Sequence, residues 1–206
     1  MKINSGNYGK KKTELLCGFV LEDSNKALGL PKFDTKTSSS INQSIKDMNG
    51  KLGKVTIIPT PGNKRAQRIL LAGIGKKENL TNDTIRFVSG KIAQKARELK
   101  LKEFSIITPP TFVIDSISAV SQIIEGTKMS LYKFDKFKTE KVDKSPDMTI
   151  IVSKSNKISK TIKIAEAVAE GAIFTKSIAN LPPNECTPTT LANFAKDISK
   201  KNKMKC

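Results

Sequence analysis

KVTIIPTPGNKRAQRILLAGIGKKENLTNDTIRFVSGKIAQKARELKLKEFSIIT, residues 54–108, changes its hydrophobic period along its length. KVTIIP (54–59) and RILLAGIG (68–75) are β-rich apolar runs joined by the turn TPGNKR (60–65), the pattern of a β-hairpin. Thr81-Asn82-Asp83 then offer N-caps to a segment in which Ile85, Val88, Ile92, Ala96 and Leu99 recur at helical spacing. EFSIIT (103–108) returns to strand and is closed by Pro109-Pro110. A strand pair, a helix and a further strand within one stretch point to an α/β domain.

The flanks extend the pattern. Upstream, ELLCGFVL (14–21) is a short apolar run that predicts a buried strand. SSSINQSIKDMNG (38–50) sets Ile41, Ile45 and Met48 on one helical face, with serines to cap it and Gly50 to stop it. Downstream, Val113, Ile117, Val120 and Ile124 run at helical spacing into Leu131, and DMTIIVS (147–153) is a strand. A long helix is predicted over 156–180, with Ile158, Ile162, Ala165, Ala169, Ala172 and Ile173 along one alanine-rich stripe. LPPNECTP (181–188) breaks it, and Thr187-Pro188 restarts the chain as an N-cap followed by proline at the first helical position. Leu191, Phe194 or Ala195, and Ile198 give this last helix its apolar face.

The expected architecture is a three-layer α/β/α domain around a mixed central sheet, residues 1–153. A connecting helix (154–180) and the beginning of a second unit (181–206) follow. One helix cannot make a domain, so the chain is expected to be a piece of a longer protein.

The 206 residues carry 37 Lys and Arg against 19 Asp and Glu, a formal net charge of +18, and no histidine. Without histidine there is no Ser-His-Asp triad, no Cys-His pair and no imidazole-ligated metal. Such a charge suits phosphate contacts, but only Arg65, Arg68, Arg86 and Arg97 are arginines, and aromatics make up 5%. The segment that interleaves basic residues with aromatics is Lys128–Lys138, with Tyr132, Phe134 and Phe137. The remaining lysines are spread along the chain, as on a solvated surface. Cys17, Cys186 and Cys206 are odd in number, far apart and without a CxxC, so neither a disulfide framework nor a zinc ribbon is indicated. No apolar run approaches a membrane span and the N-terminus is polar, so a soluble, cytoplasmic protein without membrane partners is expected.

Local candidates for chemistry are weak. Gly73-Ile-Gly75 lies between strand and helix as a phosphate loop would, but position 78 is Glu where the fingerprint needs a third glycine, and a strand-end turn is favoured. Glu166 and Glu170 sit one helical turn apart, where a solvated face or helix contact is favoured over acid–base work. Cys186 lacks any histidine to activate it. The lysine-rich run Lys196–Lys205 suits a helix C-terminus. No residue is therefore assigned as catalytic, cofactor-binding or metal-ligating, and the chain alone is expected to be inactive.

Three stretches, in order, resemble the leucyl aminopeptidase (cytosol aminopeptidase) family. RAQRILLAGIGKKENLTNDTIRFVSGKIAQKARELK (65–100) is similar to its strand, Gly-x-Gly turn and helix. EGTKMSLYKFDKFKTE (125–140) is similar to its Glu-Gly-x-x-x-x-x-Tyr-x-Phe helix end, and SIANLPPNECTPTTLANFAKDI (177–198) resembles the segment that opens its catalytic domain. One departure is Lys176-Ser177, where the family usually has Arg-Asp.

The resemblance implies an N-terminal, macro-like domain of an enzyme that removes N-terminal residues from peptides. It implies a hexamer, and two divalent metal ions (Zn or Mn) held by lysine and carboxylates in a catalytic domain. The Asn-Thr-Asp-Ala-Glu-Gly-Arg motif that supplies those carboxylates does not occur here. A histidine-free chain is compatible with such a ligand set. The alternative is a stand-alone basic domain that binds nucleic acid, or a nucleotide at Gly73–Gly75.

Overall fold

The computed structural model describes residues 1–6, 12–22, 24, 26–63, 65–139, 145–152 and 158–205. Its elements run β1 (Ile3–Gly6), β2 (Thr13–Val20), β3 (Ala27–Leu28), α1 (Thr35–Met48), β4 (Val55–Pro59), β5 (Ala66–Gly73), α2 (Asn82–Glu98), β6 (Glu103–Ile107), α3 (Ser116–Leu131), β7 (Asp147–Ile151), α4 (Ile158–Ala179) and α5 (Pro188–Lys201). The expected boundary at 153/154 and Cys206 lie outside the described residues.

The strands form a single sheet in the order β1-β7-β6-β2-β5-β4. β2 is central and parallel to β5 along its whole length (Thr13 opposite Ala66, Val20 opposite Gly73). Its other edge pairs with β6 at Leu16 and Cys17, then with antiparallel β3 at Phe19 and Val20. β4 is antiparallel to β5, as the expected hairpin requires, while β6, β7 and β1 are mutually parallel. The sheet is mixed and helices cover both faces, the three-layer arrangement expected from sequence.

The core follows from β2, whose side chains are buried on both faces, the signature of a central parallel strand. On one face Leu15, Cys17 and Phe19 join Leu70, Ala72, Phe104 and Ile106 beneath α2, α3 and the start of α4. On the other, Val20, Ile58, Ile69 and Leu71 meet Ile41, Ile45 and Met48 of α1. α2 and α3 cross closely because Gly126 rests against the backbone of Arg86; a Cβ there would clash with the Arg86 carbonyl oxygen.

Several details differ from the sequence reading. α1 begins at Thr35, capped by Asp34 rather than by its serines; Asp34 Oδ1 accepts from the Thr37 N–H at 2.9 Å. α3 begins at Ser116 under Asp115, since Val113 and Ile114 belong to a turn whose amides donate to the Pro110 carbonyl. β1 and β3 were not foreseen. β1 has one apolar residue in four and is an edge strand aligned by β7, and β3 is two residues long. The Thr81 and Thr187 caps stand as expected, each accepting from the backbone N–H three residues on.

Candidate functional site

Gly73-Ile-Gly75 is a turn whose amides are all engaged inside the fold. The Gly73 N–H donates to Lys54 O at 2.8 Å, that of Ile74 to Val20 O at 2.9 Å, and that of Gly75 to Gly50 O at 3.0 Å. A phosphate needs free N–H groups converging on it. Here the α2 N-terminus also lies further on, after a short 3-10 turn at Lys77–Asn79. Glycine is required at 73 for packing, since a Cβ would collide with the Lys51 carbonyl oxygen.

The side chains singled out elsewhere converge on the α4–α5 junction. Lys128, on α3 and largely buried, places Nζ 2.7 Å from Glu170 Oε1 and 3.7 Å from Glu166 Oε1, tying α4 to α3. Tyr132 follows the end of α3, and its hydroxyl accepts from Asn180 Nδ2 at 3.4 Å. Lys136 Nζ lies 3.1 Å from Glu185 Oε2, so this strap also grips the Pro-rich turn. Phe134 and Phe137 pack edge to face at 5.8 Å, as do Phe174 of α4 and Phe194 of α5 at 6.0 Å. Tyr132, Phe134, Phe174, Ile178, Leu181 and Phe194 line a cavity of about 280 Å³ between strap and junction.

The basic–aromatic segment thus braces helices, and two of its cations face carboxylates. Partly exposed pairs of this kind contribute about 0.2–1 kcal/mol each, so the rings and the Lys128 stem carry the packing. Periodicity alone does not reveal the Lys136–Glu185 contact, because the partners lie on two irregular segments. The junction turn is ordered by its own backbone, with the amides of Glu185 and Cys186 donating to Pro182 O. Cys186 is half-buried there. Cys17 is fully enclosed, and burial pushes its thiol well above the usual range, which makes it a poor nucleophile.

Beyond the strap each of the two helices keeps apolar side chains uncovered. α4 buries Ile158, Ile162, Ala165 and Ala169, yet Ile164 and Val168 on another face are 54% and 52% exposed. α5 buries no residue, and Leu191 on its apolar face is half exposed. Among the described residues no group of three or more Cys, Asp or Glu side chains is placed to hold a metal ion. They do not fit a two-metal centre. Nor is any helix, among the described residues, long and apolar enough to cross a membrane.

Comparison with known proteins agrees with this anatomy. The model for the N-terminal domain of the cytosol aminopeptidase family matches residues 18–141. A probable cytosol aminopeptidase of Cenarchaeum symbiosum is 35% identical over 210 residues, covering 100% of this chain and 41% of the relative. One from a Sulfurihydrogenibium species is 30% identical, covering 92% and 39%. The chain therefore spans about two fifths of the length of these relatives. Among solved structures, a mutant of tomato leucine aminopeptidase superposes with a TM-score of 0.80 at 22% identity, over 98% of this chain and 42% of that one. The bottromycin maturation enzyme BotP gives 0.69 at 15%, over 94% and 38%. At these identities the structural likeness establishes the fold, a central sheet flanked by helices as in the leucine aminopeptidase. With that family's N-terminal domain matched over more than half of the chain, and a cytosol aminopeptidase 35% identical across all of it, the chain belongs to the cytosol aminopeptidase family.

Proposed function

We propose that this chain is the N-terminal, non-catalytic part of a cytoplasmic, metal-dependent leucyl aminopeptidase that hydrolyses N-terminal residues from peptides. Residues 1–153 form its N-terminal domain, 154–180 a connecting helix, and 181–206 the opening of the catalytic part. Peptide substrates and the two divalent ions (Zn or Mn) belong to that part, and no residue of the 206 is a metal ligand or catalytic group. The whole protein assembles as a hexamer.

The observation that carries this reading is the pair of open apolar faces on α4 and α5. A helix apolar on more than one side is one that packs on more than one side, and α4 has a neighbour on one of them. The relatives extend well beyond the length this chain spans, which supplies chain to cover the other. The Lys128 and Lys136 pairings engage two cations of the segment on which a nucleic-acid reading leans most, which weighs against it.

Assay of the purified 206-residue chain and of the longer polypeptide encoded by the same reading frame tests the proposal. With Mn(II) or Zn(II) and leucine p-nitroanilide, the longer polypeptide is expected to release nitroaniline and the 206-residue chain is not. Metal-dependent turnover by the short chain overturns the non-catalytic assignment. A frame that stops at Cys206 overturns the larger reading.

A further inference from the structure

At the opposite end of the sheet from the Gly73–Gly75 turn, a cavity of about 400 Å³ opens where α2 ends and β6 and β7 begin. Its lining brings together Arg97 from the last turn of α2, Lys100 and Lys102 from the link to β6, and Ser145 and Asp147 leading into β7, with Leu101 as an apolar wall. Three of these groups are cations and one is an anion. Asp147 is already engaged: Oδ1 accepts from the Lys2 N–H at 2.7 Å, and its own N–H donates to Lys102 O at 2.9 Å. Two further carboxylates belong to this edge: Glu14 accepts from the Lys102 N–H at 2.8 Å, and Glu103 stands opposite Asp147 in the sheet.

Arg97 is the telling residue. Its Nη1 is buried and has no hydrogen-bond partner among the described residues, an arrangement rare in folded proteins for a group that carries charge. The helix end beside it would ordinarily repel an anion. Here the Lys100 N–H donates to Arg97 O at 2.8 Å and the Leu101 N–H to Ala96 O at 3.1 Å, so the final carbonyls are engaged by the chain itself. That closure holds Lys100 in the left-handed region at φ 52°, where glycine would be at ease. A strained lysine is thus kept at the rim of a cavity that Arg97 also lines.

We propose that this cavity binds a small anion bearing a terminal phosphoryl group. Arg97 supplies the forked donor, Lys100 and Lys102 supply charge, and the Ser145 hydroxyl donates a further hydrogen bond. A dianionic phosphoryl offers three acceptor oxygens, enough to satisfy Arg97 and both ammonium groups. The volume exceeds that of a bare phosphate and leaves room for a substituent against Leu101, within the range of small-molecule sites. The assignment is independent of the aminopeptidase reading.

Amide-resolved NMR titration of the 206-residue chain with sodium pyrophosphate, against sodium chloride at matched ionic strength, tests it. Saturable shifts are expected at Arg97–Lys102 and Ser145–Asp147, with affinity falling at least tenfold in Arg97→Gln. Lys100→Gly provides the second variant. It relieves the backbone while removing a cation, so it is expected to melt no lower than the parent yet bind pyrophosphate several-fold more weakly. Lys196→Gln on α5 should change nothing. Shifts that match the chloride control, or that persist undiminished in Lys100→Gly, overturn the proposal. A single-stranded oligonucleotide without terminal phosphates, matching pyrophosphate in affinity at these amides, also overturns it, because the source would then be a phosphodiester backbone.

Discussion

A methyl group added to Gly126 would strike the carbonyl oxygen of Arg86, whereas one added to Gly171 meets nothing within 4 Å. Both glycines lie in helices, so propensity alone would have alanine stabilise either site by about 0.5–1 kcal/mol. At Gly126 the clash is with backbone, which cannot swing aside, and overpacking costs typically about 1–3 kcal/mol. Urea denaturation should therefore show Gly126→Ala less stable than the parent and Gly171→Ala slightly more stable. Two capping aspartates behave as a pair at the same scale. Hydrogen bonds from the backbone N–H of Thr37 to Asp34, and of Ser118 to Asp115, hold each carboxyl below its usual range. Because the folded value is the lower, their contribution is complete above the unfolded pKa of about 3.9 and fades as pH falls through the folded one. The Asp34→Ala/Asp115→Ala double variant should lose less stability than the parent between about pH 5 and pH 3, as read from thermal melts across that window.

Elements were legible where period and burial agree. Ile41, Ile45 and Met48 of α1, and Ile85, Val88, Ile92 and Ala96 of α2, fall on the buried faces that their spacing predicts. β1 was not legible, because INSG has no alternation and its place is fixed by β7, more than 140 residues away. The Lys128–Lys138 segment was misleading in a specific way. Composition marks it as a binding strip, and only the fold reveals that Glu166, Glu170 and Glu185 stand opposite its lysines. α4 carries a prediction of its own. Replacing Ile164 and Val168 together by lysine should shift the melting temperature of this chain by less than about 4 °C, since each exposed substitution changes stability by about 0.5 kcal/mol or less. Ile162→Ala, on the buried face of the same helix, should cost about 2–4 kcal/mol. In the longer polypeptide the exposed pair should instead lower the melting temperature clearly. Differential scanning calorimetry of both lengths checks each outcome.

For the whole molecule, the charge of +18 and the absence of histidine excluded catalytic classes without naming a function. The cavity beside Arg97 was invisible to sequence, because its three cations belong to a helix end and a strand start that read as ordinary solvated lysine-rich turns. The order of the sheet has a further consequence, in time rather than in space. Its central strand is among the first made, yet its partners β5 and β6 end at Gly73 and Ile107. At about 5–20 residues per second, roughly 4–17 s pass on the ribosome between completion of β2 and completion of β6. Throughout that interval LLCGFV (15–20) is an apolar strand with at least one edge unpaired, the segment of this protein most in need of a chaperone's shelter during synthesis.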